Sequence, residues 1–226
     1  VATHHKETDG PVKLMYVTNV FRSADFRAGE KREFKQAGIE YFGADSSEAD
    51  AEVIETAIIT LKAAGFGDLK TELGDAGYFD GFMEELSKDG RFVSKESEAE
   101  IRELIETKNI PGLRKFADDN YIEGKIRDVM LKLPLLYGNA ETALAEASAL
   151  ALNRTMKTAV ENVKSVLAKL SDASCVSVDM GLVNRLDYYS GMIFKVYIKN
   201  SGVIVGSGGR YDKLMKKFGK NIPAAG

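Results

Sequence analysis

The chain has a single cysteine, Cys175, so no disulfide can form within it, and this usage fits a reducing compartment. Its only histidines are the adjacent pair His4-His5. With no further histidine and one lone thiol, the pair reads as a solvated terminus, and no metal site is expected. No apolar run approaches the roughly 20 residues that a membrane helix needs, and no basic start followed by an apolar middle opens the chain. Excess positive charge is missing as well. The formal net charge is -3, which argues against nucleic acid as a dominant partner. Together these absences point to a cytoplasmic protein with no membrane partner.

Motifs for common chemistries are equally scarce. GSGGRYDKL places a glycine-rich turn before a helix, but it lacks the GxxxxGK[ST] spacing of a phosphate loop. No GxGxxG follows an early strand, so a dinucleotide site has no support. Ser207 has no histidine partner for nucleophilic catalysis, because both histidines lie at the far terminus. Asp179, Asp187 and Asp212 are isolated and read as surface or turn residues rather than Mg²⁺ ligands. Neither a catalytic residue nor a cofactor is expected.

What is present is an ordinary globular composition, 44% hydrophobic and 29% charged over 226 residues, enough for a substantial core. Lys13 to Val17 and Asn19 to Arg22 read as short extended segments. Phe34 to Phe42, FKQAGIEYF, alternates so that Phe34, Gln36, Gly38, Glu40 and Phe42 share one face. On its own this segment favours an edge strand with Gln36 and Glu40 in water. Ser46 or Ser47 caps a helix over Glu48 to Ala64, with Asp50 and Glu52 favourably placed early in it. A strand over Leu69 to Leu73 and a helix over Tyr78 to Leu86 follow. Between about Ser87 and Tyr137 the pattern turns to short charged helices, with Ser97-x-x-Glu100 matching a capping box. One long helix is expected from Ala140 to Leu170, and strand character returns at Cys175. The order implies an α+β fold with a largely antiparallel sheet, divided as 1–86, a helical insert at 87–137, and 138–226. The sequence ends at NIPAAG with nothing evident to close the sheet, so the chain is expected to be a piece of a longer protein.

The richest stretch runs from Gly181 to Asp212. Met192 to Ile198 and Val203 to Val205, joined at Asn200-Ser201-Gly202, read as a β-hairpin. Gly206, Gly208 and Gly209 then break the strand before a helix over Tyr211 to Phe218. With the Tyr188-Tyr189 pair and Asp187, this set suits a small polar ligand.

KLMYVTNVFR, AGEKREFKQAGIEYFG and ADAEVIETA resemble the second signature motif of class II aminoacyl-tRNA synthetases in its histidyl form. LVNRLDYYSGMIF and GGRYDKL resemble the two histidine-recognition motifs of histidyl-tRNA synthetase. The resemblance covers residues 11–65 and 178–226 and implies an antiparallel sheet flanked by helices, with a helical insert. It also implies that Gln36 takes a histidine amino group and Glu40 its imidazole. Tyr188, Tyr189 and Tyr211 would flank the ring, and Gly208 and Gly209 would bring backbone close. Departures from the synthetase pattern fall on ATP-handling positions. Arg22 is kept, vestigially, but Ala24 stands where a glutamate orients ATP and Glu30 where an arginine meets the triphosphate. Asn184 replaces a further arginine, and Arg185 sits one residue late, on the opposite face of a strand. This pattern resembles the regulatory subunit of short-form ATP phosphoribosyltransferase. It implies a non-catalytic, dimerising, histidine-sensing chain that joins a catalytic subunit in a hetero-octamer, without tRNA. The alternatives are the core of a divergent histidyl-tRNA synthetase and a pseudo-synthetase interaction domain.

Overall fold

The structure, a computed structural model, describes residues 10–21, 33–88, 94–183 and 188–226. Its first two strands, β1 (Val12–Phe21) and β2 (Glu33–Phe42), pair antiparallel along their whole length. The two extended segments expected before residue 22 are therefore one strand: Thr18, opposite Gln36, carries the ladder through. α1 (Ser47–Ala63) follows, with Ser46 Oγ accepting from the Ala49 amide at 3.3 Å. It ends before Gly65, whose φ of +96° only glycine adopts readily. β3 (Leu69–Asp75) leads directly into α2 (Ala76–Lys88).

Residues 94–135 form α3 (Lys95–Glu106), α4 (Ile110–Asp119), α5 (Gly124–Lys132) and a 3-10 turn at Leu133–Leu135. The first of these starts three residues earlier than the capping-box reading places it. Ser94 is the cap, with its hydroxyl oxygen accepting from the Ser97 amide at 3.1 Å. Ile101, Ile105, Leu113, Ile122 and Met130 from this helical segment are buried in one continuous core with Leu73, Phe194 and Val178 of the sheet.

The long helix expected over 140–170 is two helices, α6 (Ala140–Leu150) and α7 (Arg154–Lys169), with β4 (Tyr137–Gly138) before them. Asn153 breaks it. Its side-chain Oδ1 accepts from the Met156 amide at 3.0 Å, an N-cap, while its Nδ2 donates to Gly81 O of α2 at 2.7 Å. Helical propensity is outweighed by these two bonds, of which the one to Gly81, 72 residues away, leaves no trace in the local pattern. Met156, Ala159, Val160, Val163 and Val166 give α7 a buried stripe at helical spacing, packed on α1, α2 and β3.

β5 (Val176–Asp179), β6 (Met192–Ile198) and β7 (Ile204–Gly209) complete a sheet ordered β4-β5-β3-β6-β7. Among the described residues, only the β3–β5 pairing is parallel. The β6–β7 hairpin turns at Asn200 and Gly202, both at positive φ near 67°. Gly206, Gly208 and Gly209 do not break the second strand, however. They lie within β7, where missing side chains let neighbouring groups close in. A short α8 (Asp212–Lys217) follows.

The end of the sequence also departs from expectation. Ala224–Ala225 forms a strand, β8, pairing with Tyr41 and Phe42 of β2 on one side. On the other, Ala225 bridges Arg210, and Gly209 and Gly226 exchange amide hydrogen bonds of 2.8 and 3.1 Å. β8 thus joins the β1-β2 hairpin to β7. Among the described residues, no helix is long and apolar enough to cross a membrane, and no group of three or more His, Cys, Asp or Glu could hold a metal ion.

Candidate functional site

Glu40, Tyr188, Tyr189 and Tyr211 come together beside the junction at β8, while Gln36, farther along the same face of β2, bonds Tyr16. Alternation along β2 aims Gln36, Gly38 and Glu40 at one face, and the register sets Tyr16 of β1 opposite Gly38. The Tyr16 ring lies across that glycine: a Cβ at residue 38 would stand 2.6 Å from its Cε1. The ring continues to Gln36, whose side-chain amide donates to the Tyr16 hydroxyl at 2.8 Å. Gly38 is therefore what permits an aromatic to cross the strand and reach the amide two residues away.

Glu40 is half-buried rather than in water, correcting the edge-strand expectation for its end of β2, which β8 covers. The Tyr211 hydroxyl donates to Glu40 Oε2 in a short hydrogen bond. Burial pushes the Glu40 pKa up, and the Tyr211 hydroxyl offsets part of that rise. Burial also raises the Tyr188, Tyr189 and Tyr211 phenols, and the Glu40 charge adds to it in each. All three phenols stay protonated donors at neutral pH. Tyr188 stacks on Tyr211 with ring centroids 5.3 Å apart and planes 10° from parallel. Tyr189 lies 4.5 Å from Tyr188, tilted by 57°, and Phe42 meets Tyr211 edge-on at 6.4 Å. Gly209 makes room for Tyr189, since a Cβ there would stand 2.8 Å from its Cδ1. A Cβ at Gly208 would instead stand 2.5 Å from the Phe194 ring and against the Gly226 carbonyl.

The groups at this site have the chemistry to hold a small planar group carrying N–H donors. A partly desolvated carboxylate attracts a donor or a cation, an amide and phenols fix orientation, and aromatic rings cover the faces. Arg22, Ala24, Glu30, Asn184, Arg185 and Asp187 lie outside the described residues.

Sequence reasoning missed the groups that hold this cluster in place. Arg210 is buried, with Nη2 2.8 Å and Nε 3.1 Å from Asp50 Oδ1, Nη1 3.1 Å from Ala44 O, and Nη1 3.4 Å from Asp212 Oδ1. Asp50 is therefore a buried ion-pair partner as well as an acid in the first turn of a helix. Burial pushes its carboxyl up and the guanidinium pulls it back. The only sequence signal for this network was that Arg210 and Asp212 flank Tyr211 in GGRYD. A surface depression of about 480 Å³ along α4, lined by Ile110, Pro111, Arg114, Lys115, Asp118 and Asp119, includes none of these residues.

Comparison with known proteins agrees with the motifs. The histidyl-tRNA synthetase family model matches residues 1–226. An ATP phosphoribosyltransferase regulatory subunit from Alkaliphilus metalliredigens is 36% identical over 229 residues, spanning 100% of this chain and 57% of that protein. A Bacillus halodurans structure, described as an ATP phosphoribosyltransferase regulatory subunit/histidyl-tRNA synthetase, aligns at TM-score 0.86 and 29% identity over 99% of this chain and 57% of that one. A chain of an ATP phosphoribosyl transferase complex from Thermotoga maritima aligns at TM-score 0.63 over 98% of this chain and 75% of that one; at 20% identity it shows the fold alone. The chain spans a little over half the length of the curated relatives it matches. Its α+β fold is that of the class II synthetases, and the chain belongs to the histidyl-tRNA synthetase family.

Proposed function

We propose that this chain forms the synthetase-like part of a regulatory subunit of short-form ATP phosphoribosyltransferase, a cytoplasmic, non-catalytic protein of histidine biosynthesis. The observation that carries the reading is 36% identity, over the whole chain, to relatives named for that role. In this reading Gln36, Glu40, Tyr188, Tyr189 and Tyr211 form the histidine pocket, with Gly209 shaping it. The helices of residues 94–135 are an insertion between the two parts of the core, the first of which includes α2 and the second of which begins at β4. Ala24, Glu30 and Asn184 mark the loss of ATP handling and Arg22 its remnant, so the protein binds histidine without activating it. The subunit dimerises and joins a catalytic phosphoribosyltransferase chain in a hetero-octamer, activating it and transmitting histidine feedback. Feedback requires histidine to favour one assembly state, with a coupling of roughly 1–3 kcal/mol.

Isothermal titration of histidine into the complete subunit, alone and with its catalytic chain, tests the reading. Binding that is lost in Glu40→Gln is the expected result; no heat at millimolar histidine in either form overturns it. The family match favours a second reading, a divergent histidyl-tRNA synthetase. That reading predicts histidine-dependent ATP–pyrophosphate exchange, and the regulatory reading predicts none.

A further inference from the structure

We propose that Arg210 is a positioning residue for the ligand pocket: anchored to Asp50 and Asp212, it sets the Tyr211 hydroxyl on Glu40 and so determines how that carboxylate is presented to a ligand. The proposal rests on the reading of Glu40 and Tyr211 as pocket residues.

Tyr211 has no side-chain cap to fix it at the start of α8, and its backbone, at φ -137° and ψ 45°, belongs to neither the strand before it nor the helix after it. Its placement comes from its neighbours. The Arg210 amide donates to Met192 O at 2.8 Å, and the Arg210 carbonyl accepts from the Ser190 amide at 2.7 Å. The Asp212 amide donates to Ser190 Oγ at 3.0 Å, while Asp212 Oδ1 accepts from the Ala224 amide at 2.8 Å. The Tyr211 amide completes the strap by donating to Ala224 O at 2.7 Å. Ala224 is the register partner of Phe42, two residues from Glu40. The same strap therefore holds both ends of the Tyr211–Glu40 hydrogen bond.

Arg210 ties this strap to the rest of the protein. Its guanidinium contacts Asp50, Asp212, Ala44 O and, at 3.5 Å, Ser46 O, with the Asp45 carboxylate 3.7 Å away. One planar fork thereby spans the start of α1 and the start of α8. Gly191 leaves space for its stem, since a Cβ there would stand 3.2 Å from Arg210 Cδ. Buried ion pairs of this kind add little net stability over a well-packed apolar replacement. What the fork supplies is fixed geometry, which a lysine of equal charge cannot reproduce.

The test uses the complete regulatory subunit and two readouts. The first is the protonation midpoint of Glu40, followed by carbon-13 carboxyl NMR and assigned with Glu40→Gln. Removing the Tyr211 donor should raise that midpoint, because the hydroxyl favours the charged carboxylate. Tyr211→Phe and Arg210→Lys are expected to raise it equally, and the double variant no further. Asp212→Asn, which keeps an acceptor for the Ala224 amide, should produce a smaller rise and is the milder probe if Arg210→Lys does not fold. The second readout is histidine affinity, expected to fall about tenfold in Arg210→Lys and not at all when the change is made in Tyr211→Phe. A Glu40 midpoint that ignores Arg210→Lys and Asp212→Asn overturns the proposal, as do additive affinity losses. If the midpoint responds but even the wild type binds no histidine, Arg210 keeps its positioning role and the histidine reading falls instead.

Discussion

Asp75 offers a quantitative check on the interior electrostatics. It ends β3, is 2% exposed, and accepts from the Gly77 amide at 2.8 Å and the Asn162 side-chain amide at 3.2 Å. Burial pushes its pKa up to about 6; the two donors offset part of the rise, and the Asp50 and Asp80 charges add to it. An unfolded aspartate titrates near pH 3.9. Because the folded value is the higher one, folding favours the protonated form. The associated stability is fully present below about pH 4 and is lost as pH rises through about 6. A difference of about two units corresponds to roughly 3 kcal/mol. Asp75→Asn keeps an acceptor for Gly77 and, once the Asn162 amide turns over, a partner there too, but carries no charge. Urea unfolding across about pH 4 to 7 should show the variant gaining on the wild type by roughly 2–3 kcal/mol as pH rises. Parallel pH profiles for the two proteins would refute this account of Asp75.

Two further substitutions test the packing. The Thr71 hydroxyl is buried in the central strand without a hydrogen-bond partner, between Val176 and Val196 in the register. Thr71→Val should raise the unfolding free energy by about 1 kcal/mol, and a loss of stability would show that the hydroxyl has a partner. Gly208→Ala would place a Cβ 2.5 Å from the Phe194 ring and against the Gly226 carbonyl. Neither can yield cheaply, so thermal unfolding should report a loss of ~3 kcal/mol, whereas a change within about 0.5 kcal/mol would mean the β7–β8 junction is loose.

Much of the architecture was legible in the sequence because strand and helix periods are local. The alternation over residues 34–42 placed Gln36, Gly38 and Glu40 on one face, Ser46-Ser47 announced α1 without deciding which serine caps it, and Asn200-Ser201-Gly202 announced the β6–β7 turn. Errors fell where a distant group outweighs local preference. Asn153 divides the long helix because its amide also bonds Gly81, and the β7 glycines stay in a strand because Phe194, Tyr189 and the last residues of the chain fill the space above them.

The sequence alone determined the family and the face on which Gln36 and Glu40 lie, since motifs and side-chain alternation are properties of neighbouring residues. Only the tertiary structure decided how the cluster around Glu40 and Tyr211 is held. Ala224–Ala225 joins two sheets that the chain visits far apart in order, and Arg210 meets Asp50 across 160 residues. Tyr16 reaches Gln36 because antiparallel register sets it over a glycine. Such contacts depend on the burial and hydrogen bonding of segments that find each other only once the core has formed.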